Sequence, residues 1–297
     1  VTAPVPIHLI GLPTDCHSSF LRGPAKAPAH IRAALNSDHG NPASERGTEL
    51  GIEIDLVDLG DVALDEGSED DDRITQAVAY ALDAGAIPIS IGGDHAVSYP
   101  ILKAIAAAHG PVTILHFDAH PDIYDELGGD RRSHASPFAR IMEDGLAKRL
   151  VQVGIRTMNR HCREQAERFG VEVIEARHFR PGCLPALDGP LYISIDLDGF
   201  DPAFAPGVSH HEPGGLTVRD VTDILLGLDV PIAGADVVEL NPDRDINGMT
   251  AVLAAKMVKE LAALATAYPA RAQGAISSRA ETLGDSEIAS RQTNGAL

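Results

Sequence analysis

Cysteine is scarce in this 297-residue chain: Cys16, Cys162 and Cys183 are odd in number and widely spaced. They imply neither a disulfide framework nor a zinc ribbon, and reduced thiols in a cytosolic protein are the expectation. Basic residues are few as well, 24 Lys and Arg against 43 Asp and Glu, for a formal charge of −19. That balance argues against a nucleic-acid partner and favours small cationic molecules. No apolar run reaches membrane-spanning length, so no membrane partner is expected. The stretch VTAPVPIHLIGLP lacks the charged start and long apolar centre of a secretory signal, and a soluble, cytoplasmic protein is expected. Also missing are a Pro/Gly/Ser-rich linker and any repeat of solenoid period, which leaves one domain rather than two.

What is present is a steady alternation. Short β-branched runs recur as PIHLIGL, IDLVDLG, IPISIGG, VTILHFD, LVQVGIR, VEVIEA, LYISIDLD and IAGADVVEL. Most are separated by helically patterned stretches at 73–84, 97–109, 134–146, 160–169 and 217–228, and a long terminal helix is read over 248–268. The pattern predicts a single α/β domain over 1–268, with a mainly parallel sheet of eight strands and helices on both faces. Residues 269–297 are polar and weakly periodic, and read as a mobile or partner-contacting tail. The acidic run SEDDDR at 68–73 reads as a helix start, not a metal loop, because carboxylates there favour the dipole.

Chemistry concentrates where strands end. In ILHFDAHPDIYDE, residues Asp118, His120 and Asp122 occupy alternate positions, which extended backbone turns to one face. Ionised together out of water they would be costly, and a cation is the simplest remedy. LYISIDLDGFDP repeats the design with Asp196 and Asp198, followed by Asp201 at the turn. ISIGGDHAVS passes through Gly92 and Gly93 to Asp94 and His95 at the opening of a helix. All three stretches lie at C-terminal strand ends, where open α/β sheets gather their sites. His95 and His120 with four carboxylates exceed one four-coordinate zinc. They suit two cations bridged by Asp118 and Asp196, with manganese favoured and zinc, cobalt or iron still open. Water between two such cations loses a proton near neutral pH, so hydrolysis is the default chemistry.

Two further residues carry competing readings. Glu239, in ADVVELNP, either stabilises the following Asn-Pro turn or orients a cationic substrate. His134, in RRSHASPFAR, is either a solvated loop histidine or a proton shuttle beside the metal loop. Ser18, Ser19 and Phe20 follow the first strand and read as loop architecture or pocket lining. Arg131 and Arg132 read as solvated, with substrate-carboxylate binding as the other use.

GGDHAVS, HFDAHPDIYD, SIDLDGFDPAFAPG and ADVVELNP, in this order and spacing, resemble the ureohydrolase (arginase/agmatinase) family from about Ile7 to Leu264. DAHPDIYDELGG and GVSHHEPGGL look most like plant-type arginases and their bacterial relatives. The resemblance implies a three-layer α/β/α fold with an eight-stranded parallel sheet, assembled as a homo-oligomer, trimer or hexamer. It implies two Mn2+ per subunit, one held by His95, Asp118, Asp122 and Asp196, the other by His120, Asp118, Asp196 and Asp198. By the same resemblance Glu239 binds the guanidinium, His134 shuttles protons and Asp122 helps a proton to the leaving amine. Tyr124 and Asn159 stand where animal arginases carry an Asn and an Asp for the amino-acid end of arginine; with Ser133 and His210 they are the expected further substrate contacts. The expected reaction is hydrolysis of a guanidino substrate to urea and an amine, L-arginine first, agmatine or another guanidino acid second. A zinc deacylase and an inactive metal-binding relative rank below these.

Overall fold

The structure, a computed structural model, describes residues 5–38 and 40–270. Its strands are β1 (Ile7–Leu12), β2 (Leu56–Asp61), β3 (Ile87–Gly92), β4 (Val112–Phe117), β5 (Ala147–Ile155), β6 (Glu172–Glu175), β7 (Leu191–Asp196) and β8 (Ile232–Val238). They form one sheet in the order β2-β1-β3-β8-β7-β4-β5-β6. Every pair is parallel, so the expected eight strands are present and none runs against the rest. The tail expected from 269 onward falls almost wholly outside the described residues; of it, Ala270 donates its N–H to the Ile232 carbonyl at the foot of β8 (2.9 Å).

Helices α1 (Ala27–Leu35), α6 (Val218–Gly227) and α7 (Met249–Ala267) bury Ile31, Val221 and Leu261 in the core that receives Leu115, Phe117, Ile193 and Ile195. Helices α2 (Asp70–Asp83), α3 (Ser98–His109), α4 (Pro137–Glu143) and α5 (Arg160–Phe169) bury Val78, Ile101, Phe138 and Cys162 in a second core with Ile114 and Tyr192. The two cores are the two faces of the sheet, each covered by helices, because parallel strands are joined by crossovers. Helix α1 has no counterpart in the sequence reading. It is short, opens with Pro28 in its first turn and buries few side chains, so its periodicity is weak. The acidic run does start a helix, with Asp70, Asp71 and Asp72 in the first turn of α2.

On the α2–α5 face the apolar rule breaks at one level. Ser90, Asp236, Ser194, His116 and Gln152 are register partners across the five adjacent strands β3, β8, β7, β4 and β5. All five are buried. This polar row runs through the sheet near the C-terminal ends of its central strands, where the titratable residues collect.

Candidate metal centre

Strands β3, β8, β7 and β4 are neighbours, so their C-terminal loops deliver His95, Glu239, Asp196/Asp198 and Asp118/His120/Asp122 to one place. Glycine permits the approach at two points. A Cβ on Gly93 would collide with the Thr14 carbonyl, and one on Gly199 would lie 2.8 Å from the Asp118 backbone nitrogen. Asp94 does not face the cluster as a donor: its carboxylate accepts from Ala96 N (3.2 Å), His17 N (3.0 Å) and Ser18 Oγ (3.3 Å), tying the β1 loop to the helix start.

His95 Nδ1 lies 3.0 Å from Asp122 Oδ2, 3.1 Å from Asp196 Oδ2 and 3.3 Å from Asp118 Oδ2. His120 Nδ1 lies 3.0 Å from Asp198 Oδ2 and 3.5 Å from Asp118 Oδ1. The donors of His95, Asp118, Asp122 and Asp196 could hold one ion, and those of Asp118, His120 and Asp198 a second. Asp118 belongs to both sets, as a bridging carboxylate must; Asp196 falls in the first. The fit is testable on one atom. His95 Nδ1 is buried and makes no hydrogen bond, although three carboxylate oxygens surround it. A cation between nitrogen and oxygens satisfies all four atoms, and the N/O donor set suits manganese-class metals.

The electrostatics agree. Burial, then the charges of Asp198 and Asp118, push the Asp196 carboxyl well above the carboxylate range. Burial also lifts Asp198 to about 7, with His120 opposing and Asp118 assisting. Burial opposes ionisation of Asp118 too, yet His116, His120 and His95 hold it well below its usual value. Without cations, these carboxylates cannot all stay charged at neutral pH.

Histidine 116, which the sequence reading passed over, is within ligand reach but spoken for. Gln152 Nε2 donates to its Nδ1 (3.1 Å), leaving Nε2 to donate to Asp118 Oδ2 (2.8 Å). Its signal was available, since 116, 118, 120 and 122 share one parity. Phe138 packs edge-on against His95, with ring centres 5.3 Å apart, and 4.1 Å from His116.

Beside the cluster opens a cleft of about 190 Å³. Glu239 reaches it in left-handed backbone (φ 66°), as does Asp122 (φ 44°), a conformation that costs non-glycine residues energy and recurs at functional sites. Glu239 Oε1 accepts from His95 N (2.9 Å) and pairs with His134 Nδ1 (2.8 Å), while His134 Nε2 meets Ser19 Oγ (2.8 Å). Burial would lower the His134 pKa, but the Glu239 charge and hydrogen bond raise it to about 9. Burial opposes ionisation of Glu239, and His134 in turn keeps its carboxyl below the ordinary value.

Tyr124, Ser19 and His210 line the cleft, with the His210 ring 5.2 Å from His134 and 5.9 Å from His120. Two expected contacts do not line it. Asn159 is the N-cap of α5, accepting from Cys162 N (2.8 Å) and donating to the Tyr124 hydroxyl. Ser133 is buried and accepts from Ala135 N (3.3 Å). Asp201 is a loop organiser, accepting from Ala203, Gly214 and Gly215 nitrogens. Arg131 pairs with Asp125 and Glu143, and Arg132 with Asp71 over the Tyr99 ring. The loop that Asp201 braces brings in Glu212, which the sequence reading missed. It lines the cleft alongside Thr157, and among the described residues no Lys or Arg lines it with them.

The arginase family profile matches residues 5–263. The chain belongs to the arginase family. It is 51% identical over 273 residues to mitochondrial arginase 1 of Arabidopsis thaliana, covering 86% of this chain and 80% of that protein. The solved arginase from Medicago truncatula superposes with a TM-score of 0.84 at 44% identity, over 89% of this chain and 88% of that one. Mitochondrial agmatinase of Gallus gallus is more distant, 34% identical over 272 residues, covering 85% and 78%. Among the described residues of this arginase-family chain, no helix is long and apolar enough to cross a membrane.

Proposed function

We propose that the chain is an arginase, hydrolysing L-arginine to L-ornithine and urea with two Mn2+ ions per subunit. The observation that carries the reading is the pair of donor sets sharing Asp118, with a buried, unsatisfied His95 Nδ1 facing three carboxylates. The ligands are His95, Asp118, Asp122 and Asp196 for one ion, and His120, Asp118, Asp196 and Asp198 for the other. When bound, two such cations supply an activated water and take up charge developing in the transition state.

The chain's own groups do the rest. Glu239, its Oε1 already engaged by His95 N and His134, aligns the guanidinium by charge-assisted hydrogen bonds. His134 keeps one proton at Nδ1 against Glu239 and gives up or takes back its second proton at Nε2, beside Ser19 at the cleft. Asp122 carries a proton to the departing amine. Tyr124 and His210 wall the substrate tail, and Asn159 acts through Tyr124 rather than by contact. Ser133 supports the turn that presents His134.

Agmatine is the second reading, favoured because no Lys or Arg among the described residues lines the cleft to receive a substrate carboxylate. Six donors across two sets argue against a one-metal deacylase, and against an inactive relative that has lost ligands. The proposal extends to a single catalytic domain over 1–268, a homo-oligomer, and a reducing compartment, the cytoplasm, in keeping with free Cys16, Cys162 and Cys183. The test is urea release from arginine, agmatine, guanidinobutyrate and guanidinopropionate at equal concentration after manganese loading. Arginine should lead. Faster release from agmatine would replace the substrate, and release from none would end the hydrolytic reading.

A further inference from the structure

The metal centre rests on a layer of buried polar groups, and one of them is a carboxyl group with no direct ion-pair partner among the described residues. The Asp236 carboxylate, buried in the middle of the sheet, accepts three hydroxyl hydrogen bonds, each of 2.6 Å, from Ser98, Tyr192 and Ser194. No ion pair reaches it among the described residues. Burying a carboxylate costs several kcal/mol before compensation, so a purely packing role is hard to reconcile with its place in the sheet. Its position gives the reason.

Ser194 has one hydroxyl proton, and Asp236 Oδ1 takes it. The Ser194 oxygen can then only accept from its other neighbour, His95 Nε2, at 2.9 Å. His95 must therefore carry its proton on Nε2. Its Nδ1 is left as a lone pair aimed among Asp118, Asp122 and Asp196. The same layer holds His116 in the same tautomer and uses it differently: Gln152 fills its Nδ1, and its Nε2 proton goes to Asp118. Two buried imidazoles 5.0 Å apart are thus both protonated on Nε2, but His95 keeps its Nδ1 free to ligate while His116 has its Nδ1 filled and braces Asp118.

The geometry points to Asp236 as a positioning residue that, through Ser194, dictates which nitrogen of His95 is protonated and so makes Nδ1 a metal ligand. The inference rests on the metal centre proposed above. It predicts an asymmetry between variants. In Asp236→Asn the amide oxygen still serves Ser98 and Tyr192, so the amide N–H₂ faces Ser194 and donates to it. The Ser194 proton is then released toward His95 Nε2, which favours the tautomer with a proton on Nδ1, inside the cage. Ser194→Ala merely removes a partner. Tyr192→Phe removes a different bond to Asp236 and leaves the relay to His95 untouched.

Manganese binding followed by the paramagnetic resonance of free Mn2+, with thermal melts of each chelated protein, tests this. The wild type should bind two ions. Asp236→Asn should bind one of them about 10–100-fold more weakly, and Ser194→Ala less so, the usual loss when the group that holds a metal ligand in place is changed. Tyr192→Phe should lower the melting temperature while keeping wild-type affinity. Wild-type affinity in both Asp236→Asn and Ser194→Ala would overturn the assignment, as would an equal loss in Tyr192→Phe. If Asp236→Asn does not fold, Ser194→Ala against Tyr192→Phe decides alone. Absence of manganese binding by the wild type would instead sink the metal centre itself.

Discussion

Stripped of metal, the chain should be less stable at pH 8 than at pH 5, the reverse of what most carboxylate-rich proteins do as acid is removed. The cause is Asp198, which burial and Asp118 lift to about 7 against the pull of His120. An unfolded aspartate titrates near 3.9. Between about pH 5 and pH 7 the folded chain therefore holds a proton that the unfolded chain has lost, and stability falls as pH rises wherever the folded state binds more protons. At about 1.4 kcal/mol per pH unit, two units cost roughly 3 kcal/mol.

Neighbouring groups push the same way. Burial, then the Glu239 charge, raises Asp94 to about 6, and Asp196 is pushed well above its ordinary value. His134, raised to about 9 by Glu239 against burial, gives stability that is complete below the ordinary histidine range and lost as pH climbs through 9. Burial lowers His116 and His210, and these work in the opposite sense, but only below the ordinary histidine value. For a domain near this size 1 kcal/mol is worth about 2–4 °C, so the chelated protein should lose roughly 6–12 °C in melting temperature. Manganese at about a hundred times its Kd adds about 2.7 kcal/mol per site, roughly 5 for two, most fully at pH 8 where the ligands are deprotonated. Differential scanning calorimetry with chelator and with excess manganese at both pH values reads the effect. A chelated melt that rises from pH 5 to pH 8, or one that manganese leaves unmoved at pH 8, would refute the electrostatic account of the centre.

Three other outcomes are expected. Asp198→Asn should reduce bound manganese from two ions to one per chain by elemental analysis, leaving the set around His95 filled. Glu212→Gln should raise KM for arginine about tenfold if its carboxylate takes the substrate ammonium, the worth of one charged hydrogen bond at a half-exposed site. It should leave guanidinobutyrate, which has no α-amine, unaffected in the same steady-state assay. Phe138→Ala, which empties the space against His95 and His116, should cost about 3–5 kcal/mol in urea unfolding and weaken metal binding as well.

The strands were readable one by one because each is short, β-branched and bounded, and because a two-residue period needs no knowledge of neighbours. The donor motifs were readable for the same reason: Asp118, His120 and Asp122, or Asp196 and Asp198, share a face whatever the fold around them. Local signals also existed for what was misplaced. Asn159 stands before RHCREQAERF as a helix cap should, and that preference holds its side chain at the backbone instead of in the cleft. Glu212 had no such signal, since its loop is shaped by Asp201 contacts that span 13 and 14 residues.

Alternation along the chain determined eight strands, their buried faces and the ends at which donors stand, since side-chain direction in extended backbone is a local property. Only the tertiary structure decided that β8 lies between β3 and β7. That order is set by how the crossover helices pack on the two faces, and nothing local encodes it. It brings Glu239 to the backbone of His95 across 144 residues, and Asp236 to Ser194 across 42. The candidate donors were written in the motifs; the groups that face them became visible when the strands lay side by side.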